Sequence, residues 1–278
     1  MTIILYILNV FCSSGQSVLS KHYASKGGSS SSFNINKSIA GIFTLLILGF
    51  FSGLSFHFPS VLYGTGYGIF LFISMHTGFT ALSIGPMALT SIIASFSLVI
   101  PFIFGITVWN ESLSLLGIIG MLFLTSSIIL LNFKKEGGFS FRWAFFAFAT
   151  LAANGICSLI QKYHQLYFPQ QYRTEFMLAA FITVFVIFSL ITLTKAELRQ
   201  QFKLSISGLL SGFMNCAADY IVLYLAATEK ASVLFPMVSV CKVLSIWLLG
   251  RIMFKEKLKL TQSIGLLAGI LAIILLNI

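Results

Sequence analysis

Asn9, Cys12, Ser13 and Gln16 lie at i, i+3, i+4 and i+7, and Asn154, Cys157, Ser158 and Gln161 repeat the same types at the same spacing. On a helix each set shares one face. Amides and hydroxyls arranged this way can hydrogen-bond a small polar solute in a cavity, or bond a neighbouring helix across a packed interface. Asp219, Lys242 and His76 add ionisable groups. Asp219 and Lys242 stand ten residues before and thirteen after a turn near Glu229. At about 1.5 Å per residue, their depths differ by only about 4 to 5 Å. They can form a structural ion pair, or hold the ammonium and carboxylate of a zwitterion. Asp219 and His76 are also candidates for proton exchange, since His titrates near neutrality. Tyr63 with Tyr67, and Tyr220 with Tyr224, form i, i+4 pairs that either pack or offer Tyr67 and Tyr220 as an aromatic wall for an amine. Candidate substrate-binding residues are therefore Asn9, Ser13, Gln16, Asn154, Ser158, Gln161, Asp219, Lys242, Tyr67 and Tyr220.

These groups sit in a chain of 278 residues that is 58% hydrophobic and only 9% charged. Water-soluble domains carry about a quarter charged residues. The composition therefore describes an integral membrane protein. Ten apolar runs are each long enough to span a bilayer: 2–22, 37–56, 61–82, 86–108 and 112–132, then 142–163, 174–194, 204–227, 231–253 and 260–278. The first lacks a positive leading region and reads as a retained helix. "SKGGSSSSFNINK" reads as a loop after it, and "NFKKEGGFSFR" as the main internal break. Cys12, Cys157, Cys216 and Cys241 all fall in apolar runs and read as packing residues, with no metal-binding spacing.

The offset between the two polar stripes, 145 residues, persists elsewhere. Glu111 matches Glu256, Gly120 matches Gly265, and "ILLN" at 129–132 matches "ILLN" at 274–277. The chain thus reads as two five-helix repeats, 1–135 and 136–278. An odd number of helices per copy makes the second enter from the opposite side, so the repeats are inverted about an axis in the membrane plane. The expected fold is all-α, ten transmembrane helices in two inverted repeats. Thirteen Lys and Arg fall on the side opposite the N-terminus and three on the N-terminal side. The positive-inside rule then makes both termini external. The net charge of +10 is set by these flanking residues and gives no reason to expect nucleic acid.

Two segments carry a family resemblance: "WNESLSLLGIIGMLFLTSSIILL" from Trp109 and "FKEKLKLTQSIGLLAGILAIILL" from Phe254. Each sets a glutamate at a helix end, a short polar turn and a Gly-containing helix. Each also follows a helix introduced by an Ala-rich turn, "ALSIGPMALTS" or "AATEKASVLFP". The chain resembles the EamA-like branch of the drug/metabolite transporter superfamily over nearly its whole length. It departs from many members in reading Ser14-Gly15 and Leu159-Ile160 where they carry Trp-Gly. The resemblance implies a ten-helix secondary transporter working by alternating access. The residues favour a small zwitterionic substrate such as an amino acid or related amine, with proton or exchange coupling. A non-transporting scaffold or lipid-handling subunit is the other reading. "GLLAG" at 265–269 and "GLLSG" at 208–212 mark close helix contacts, while "YGTGYG" at 63–68 suggests a loosened helix 3. No metal pair, phosphate loop or nucleophile elbow appears, so neither an enzyme nor a cofactor is expected. The expected partners are the lipid bilayer of the plasma (inner) membrane and the substrate, with the chain a monomer or homodimer.

Overall fold

The computed structural model describes residues 2–84, 93–111, 114–132, 141–195, 203–254 and 260–276. Among them are ten α-helices: α1 Thr2–Ser25, α2 Ser30–Ser52, α3 Phe58–Ile84, α4 Ile93–Thr107 (with a 3-10 turn at Phe96–Leu98), α5 Leu115–Asn132, α6 Phe141–Tyr167, α7 Arg173–Thr194, α8 Ile206–Leu225, α9 Ala231–Phe254 and α10 Leu260–Leu276. Among the described residues, α1, α2, α3, α6, α7 and α8 are long and apolar enough to cross a membrane, while shorter apolar stretches occur at Ile93–Thr107, Leu115–Ser127 and Ala231–Lys242. A helix satisfies its own backbone, which is the condition for crossing lipid. Large apolar side chains such as Ile3, Phe11, Phe50 and Leu190 are exposed, whereas Asn9, Ser60, His164 and Gln165 are buried. The distribution suits a bundle with an apolar exterior.

The helices pack as two compact units. The first comprises Met1–His76 and Ile160–Ala227, the second Thr77–Leu159 and Thr228–Ile278. Each unit draws residues from both sides of the 135/136 boundary expected from the sequence.

Within the first unit, α1 packs on α8, α8 on α2 and α2 on α7. Ile35, Val184 and Phe188 form an apolar core between α2 and α7, with Leu71, Phe72 and Met75 of α3 against it. Glycines set two of the crossings. A Cβ on Gly208 would meet Asn36 Cβ at 2.8 Å, and one on Gly212 would meet Ala40 Cβ at 2.8 Å and the Lys37 carbonyl. On α3, a Cβ on Gly64 would strike the Phe176 carbonyl, and one on Gly68 would lie 2.7 Å from the Ala180 oxygen and 2.8 Å from Thr183 Cβ. So α8 rides on residues 33, 36, 37 and 40 of α2, while α3 rides on 176, 179, 180 and 183 of α7. The glycine pairs are 144 residues apart and the contacted residues 143 apart. The "YGTGYG" segment is thus continuous helix pressed against α7. Gly64 and Gly68 permit the close approach, while Gly66 faces open space.

The start of α2 differs from expectation. The helix begins at Ser30, inside the segment read as a loop and ahead of the run read from 37. Ser29 caps it by accepting the Ser32 N–H, and Ser31, Ser32, Asn34, Asn36, Lys37 and Ser38 are all buried. Ser32 Oγ and the Lys203 backbone hydrogen-bond at 3.1 Å. Asn36 Nδ2 donates to the Lys203 carbonyl at 2.9 Å, and its Oδ1 accepts the Ser205 N–H at 3.3 Å. These distant partners stabilise a helical turn whose composition alone favours a loop.

In the second unit, α5 packs on α10, where Ser127 Oγ donates to the Gly265 carbonyl at 2.7 Å. Trp143, Ala144 and Ala147 of α6 bury against Ala81 of α3. Glu111 accepts the Ala231 N–H at 2.7 Å, the Ser232 N–H at 2.8 Å and Ser232 Oγ at 2.6 Å. It caps the positive end of α9. Glu256, matched to it in sequence at the 145-residue offset, lies outside the described residues.

Candidate functional site

In the first unit, the start of α3, the end of α6, the start of α7 and the end of α8 bring together a set of polar and aromatic side chains. The turn from α6 to α7 positions them. Gln170 and Tyr172 adopt positive φ, 59° and 51°, a region costly for side chains without local reward. The reward here is tertiary. The Gln170 N–H donates to Gln165 Oε1 at 3.1 Å, and the Tyr172 ring stacks on His57 at 4.0 Å, the planes 10° apart. Phe168 packs edge-on against the same imidazole at 4.7 Å.

A hydrogen-bonded chain leads inward from His57. Its Nδ1 lies 2.9 Å from Ser60 Oγ. Ser60 Oγ lies 2.9 Å from His164 Nε2, and His164 Nδ1 lies 2.8 Å from Gln165 Nε2. Ser60, His164 and Gln165 are all at most 1% exposed. The His164 ring packs against Phe176, which meets Tyr67. Tyr67 in turn accepts a hydrogen bond from Gln161 Nε2 at 3.2 Å. Lys162 is buried with its Nζ donating to the Ala226 carbonyl at 3.1 Å.

Beside this chain is a cavity of about 390 Å³, lined among others by Ser55, Tyr172, Arg173, Thr174, Glu175 and Tyr220. The volume suits a small metabolite. The Arg173 guanidinium lies 4.6 Å from the Tyr224 ring centroid and 5.8 Å from that of Tyr220. These contacts orient the charge by cation–π attraction. Its buried Nη1 has no hydrogen-bond partner. Glu175 Oε1 takes the Ser55 N–H at 2.8 Å, and Thr174 Oγ1 lies 3.3 Å from the Tyr220 hydroxyl. The cavity thus offers a fixed guanidinium, a carboxylate and two hydroxyls. That set matches a molecule with a carboxylate and an amine.

The residues expected to do chemistry are distributed as follows. Tyr67, Gln161 and Tyr220 belong to this region. Asn9 Nδ2 donates to the Ala218 carbonyl at 2.8 Å, and Ser13 Oγ donates to Asn9 Oδ1 at 3.5 Å. The α1 stripe is engaged in the crossing with α8. Gln16 is half-buried, and its carbonyl accepts from Ser20. Asp219 Oδ2 accepts from Asn215 Nδ2 at 2.8 Å, one turn away on α8. The α6 stripe divides between units: Asn154 and Ser158 fall in the second, Gln161 in the first. Ser158 Oγ turns back to the Asn154 carbonyl at 3.1 Å. Asp219 is in the first unit and Lys242 in the second, and both are half-buried. His76 is exposed on α3, its ring parallel to Phe72 at 6.0 Å. The histidine fully buried inside an apolar span is His164, placed by the sequence reading just past a helix end. His57, Ser60, His164 and Arg173 were not singled out from sequence. The run "QKYHQ" at 161–165, dense in polar residues at the end of an apolar helix, was the available signal.

No family model and no curated protein matches the chain. A solved structure described as "Crystal structure of protein" is similar in fold, with a TM-score of 0.73 at 14% identity, covering 99% of this chain and 98% of the other. That likeness concerns the fold alone.

Proposed function

We propose that the protein is a secondary transporter of the plasma (inner) membrane, with a small zwitterionic metabolite such as an amino acid or related amine as substrate. The observation that carries this reading is the cavity lined by both Arg173, its guanidinium held over Tyr220 and Tyr224, and Glu175. A guanidinium attracts a carboxylate, and the nearby Glu175 and Tyr220 suit its ammonium. The glycine crossings add support. The α8-on-α2 and α3-on-α7 contacts repeat at near-constant offset, as ten spans in two inverted five-helix repeats require. External termini and an EamA-like mode of alternating access complete the proposal. In it, Asp219 on α8 joins the polar surface that passes substrate inward from the Arg173 cavity.

The test is uptake of radiolabelled amino acids and amines by proteoliposomes, with and without a proton gradient. Arg173→Gln should reduce uptake of carboxylate-bearing substrates by about tenfold or more, since a charge-assisted hydrogen bond contributes about 1.5–3 kcal/mol. Simple amines should be affected less. Uptake of no tested compound would overturn the reading in favour of a scaffold or lipid-handling subunit, and equal uptake by the variant would remove Arg173 from the substrate site.

A further inference from the structure

The chain from Gln165 to His57 has a fixed direction, set by an atom that can only donate. The Gln170 backbone N–H takes Gln165 Oε1, so the Gln165 amide turns its NH2 toward His164. His164 Nδ1 must then accept, which makes it a ring nitrogen without hydrogen. In the neutral ring the hydrogen sits on Nε2, and Nε2–H donates to Ser60 Oγ. Ser60 has one hydrogen and directs it to His57 Nδ1. The direction is set by Gln165 as far as Ser60 Oγ, and there the buried hydroxyl hydrogen has His57 Nδ1 as the acceptor left within reach. His164 cannot take a second proton without setting two N–H groups against each other at the 2.8 Å contact with Gln165. His57 is half-buried in place of fully buried, and its Nδ1 is the terminal acceptor of the series.

We infer that His57 is a proton-binding site, and that Gln165, His164 and Ser60 form a one-way hydrogen-bond series holding it in the accepting state. A proton arriving at Nδ1 and the Ser60→His57 hydrogen bond exclude each other. Uptake therefore reverses this bond, the new Nδ1–H donating to the remaining lone pair of Ser60 Oγ, while the His57 carbonyl still accepts the Val61 N–H and the cationic ring keeps its stacked face on Tyr172. Tyr172 and Gln170 both line the Arg173 cavity, so occupancy of His57 is communicated to the cavity wall. The titratable and charged groups on the elements around His57 include Tyr63, Tyr67 and His76 on α3, Lys162, Tyr163, His164 and Tyr167 on α6, Tyr172 in the turn, Arg173 and Glu175 on α7, and Asp219, Tyr220 and Tyr224 on α8. Arg173 faces the α8 tyrosines and Glu175 holds Ser55. His57 is thus the group of this set assigned the proton, and His164 fixes the direction of the bonds that reach it. The assignment gives the proposed transporter its coupling residue. It rests on that reading only for this use, since the proton chemistry is independent of any substrate.

The experiment is nitrogen NMR of the full chain, labelled at its four histidines, in lipid nanodiscs, titrated between about pH 5 and 8 where imidazole charge changes. The expected result is that His57 gains and loses a proton while His164 stays neutral with its hydrogen on Nε2 throughout. Gln165→Glu replaces the donor by an acceptor, so His164 should then place a hydrogen on Nδ1 and begin to titrate. Ser60→Ala should shift the His57 titration and leave the His164 tautomer unchanged. The proposal is overturned by a wild-type His164 protonated on Nδ1, by His164 titrating together with His57, or by a His57 that does not titrate. The wild-type spectra decide it even where a variant does not fold. A positive NMR result with no uptake in proteoliposomes would reject transport and keep the proton site.

Discussion

Gly66 and Gly68 are two residues apart on α3, yet an added methyl should change stability in opposite directions. At Gly68, the new carbon would lie 2.7 Å from the Ala180 oxygen, 2.8 Å from Thr183 Cβ and 3.0 Å from Ala180 Cα. Carbon contacts are optimal at about 3.5–4.0 Å. The overlap is therefore about 0.7–1 Å, and two of the three atoms are α7 backbone that no rotamer change can move. Gly68→Ala should force α3 and α7 apart at a cost of about 2–3 kcal/mol, the upper part of the range for overpacking. At Gly66, nothing lies within 4 Å. Gly66→Ala should gain part of the roughly 0.5–1 kcal/mol by which Ala exceeds Gly in a helix. The gain is partial because a membrane helix stays helical when its packing is lost. Thermal unfolding of the purified protein should show Gly68→Ala lowered by about 5–10 °C and Gly66→Ala unchanged or slightly raised, given about 2–4 °C per kcal/mol at this size. Gly212→Ala, at the corresponding crossing of α8 on α2, should resemble Gly68→Ala. Equal effects at 66 and 68 would refute the assigned face of α3, and a tolerated Gly212→Ala would refute the paired crossings.

Glu111→Ala should destabilise by about 2–5 kcal/mol, because two buried N–H groups of α9 lose their acceptor at about 1–3 kcal/mol each. Glu111→Gln should cost less, and near-equal melting of the two variants would count against the cap. Asn36→Leu keeps the size of the side chain but abandons the Lys203 carbonyl and the Ser205 N–H. A loss of about 2–4 kcal/mol is expected in denaturant or thermal unfolding, and an unchanged midpoint would show that the clamp carries no energy. Ser211 is fully buried and its hydroxyl has no hydrogen-bond partner. Ser211→Ala should therefore be neutral or stabilising by up to about 1 kcal/mol, and a clear drop in melting temperature would contradict this. Asp219→Asn keeps an acceptor for Asn215 while removing the charge. It should leave melting within about 1 kcal/mol of wild type and abolish uptake, and normal uptake would remove Asp219 from the substrate path.

Where the sequence was informative, a local rule was enough. Long apolar runs bounded by charged residues marked the helices, because a membrane span must close its own backbone bonds. Asn9 and Ser13 stood out by spacing, but spacing alone did not tell a cavity wall from a helix crossing. The crossing with Ala218 depends on a carbonyl 209 residues away. Ser30 to Asn36 read as a loop for a similar reason: serine and asparagine favour turns, and the partners that override this preference are the Lys203–Ser205 backbone. His57 and Arg173 looked like ordinary residues beside short turns. Their neighbours Tyr172, His164 and Tyr224 come from α6, α8 and the turn before α7, and no spacing in one segment announces that meeting. The paired glycines on α3 and α8 were visible as small-residue patterns whose partners were not.

The clamp on α2 bears on how the chain is made. Ser32 and Asn36 find acceptors and donors in residues 171 and 169 positions later in the sequence. At about 5–20 residues per second, synthesis of that stretch takes about 10 to 30 s. During that interval the first turns of α2 hold buried-to-be amides and hydroxyls with none of those groups yet translated. The ribosome therefore delivers α2 before its lock exists. Water near the headgroups or the insertion machinery has to serve these side chains until α8 arrives, and the helix reaches its final seat only when the second half of the chain is in the membrane.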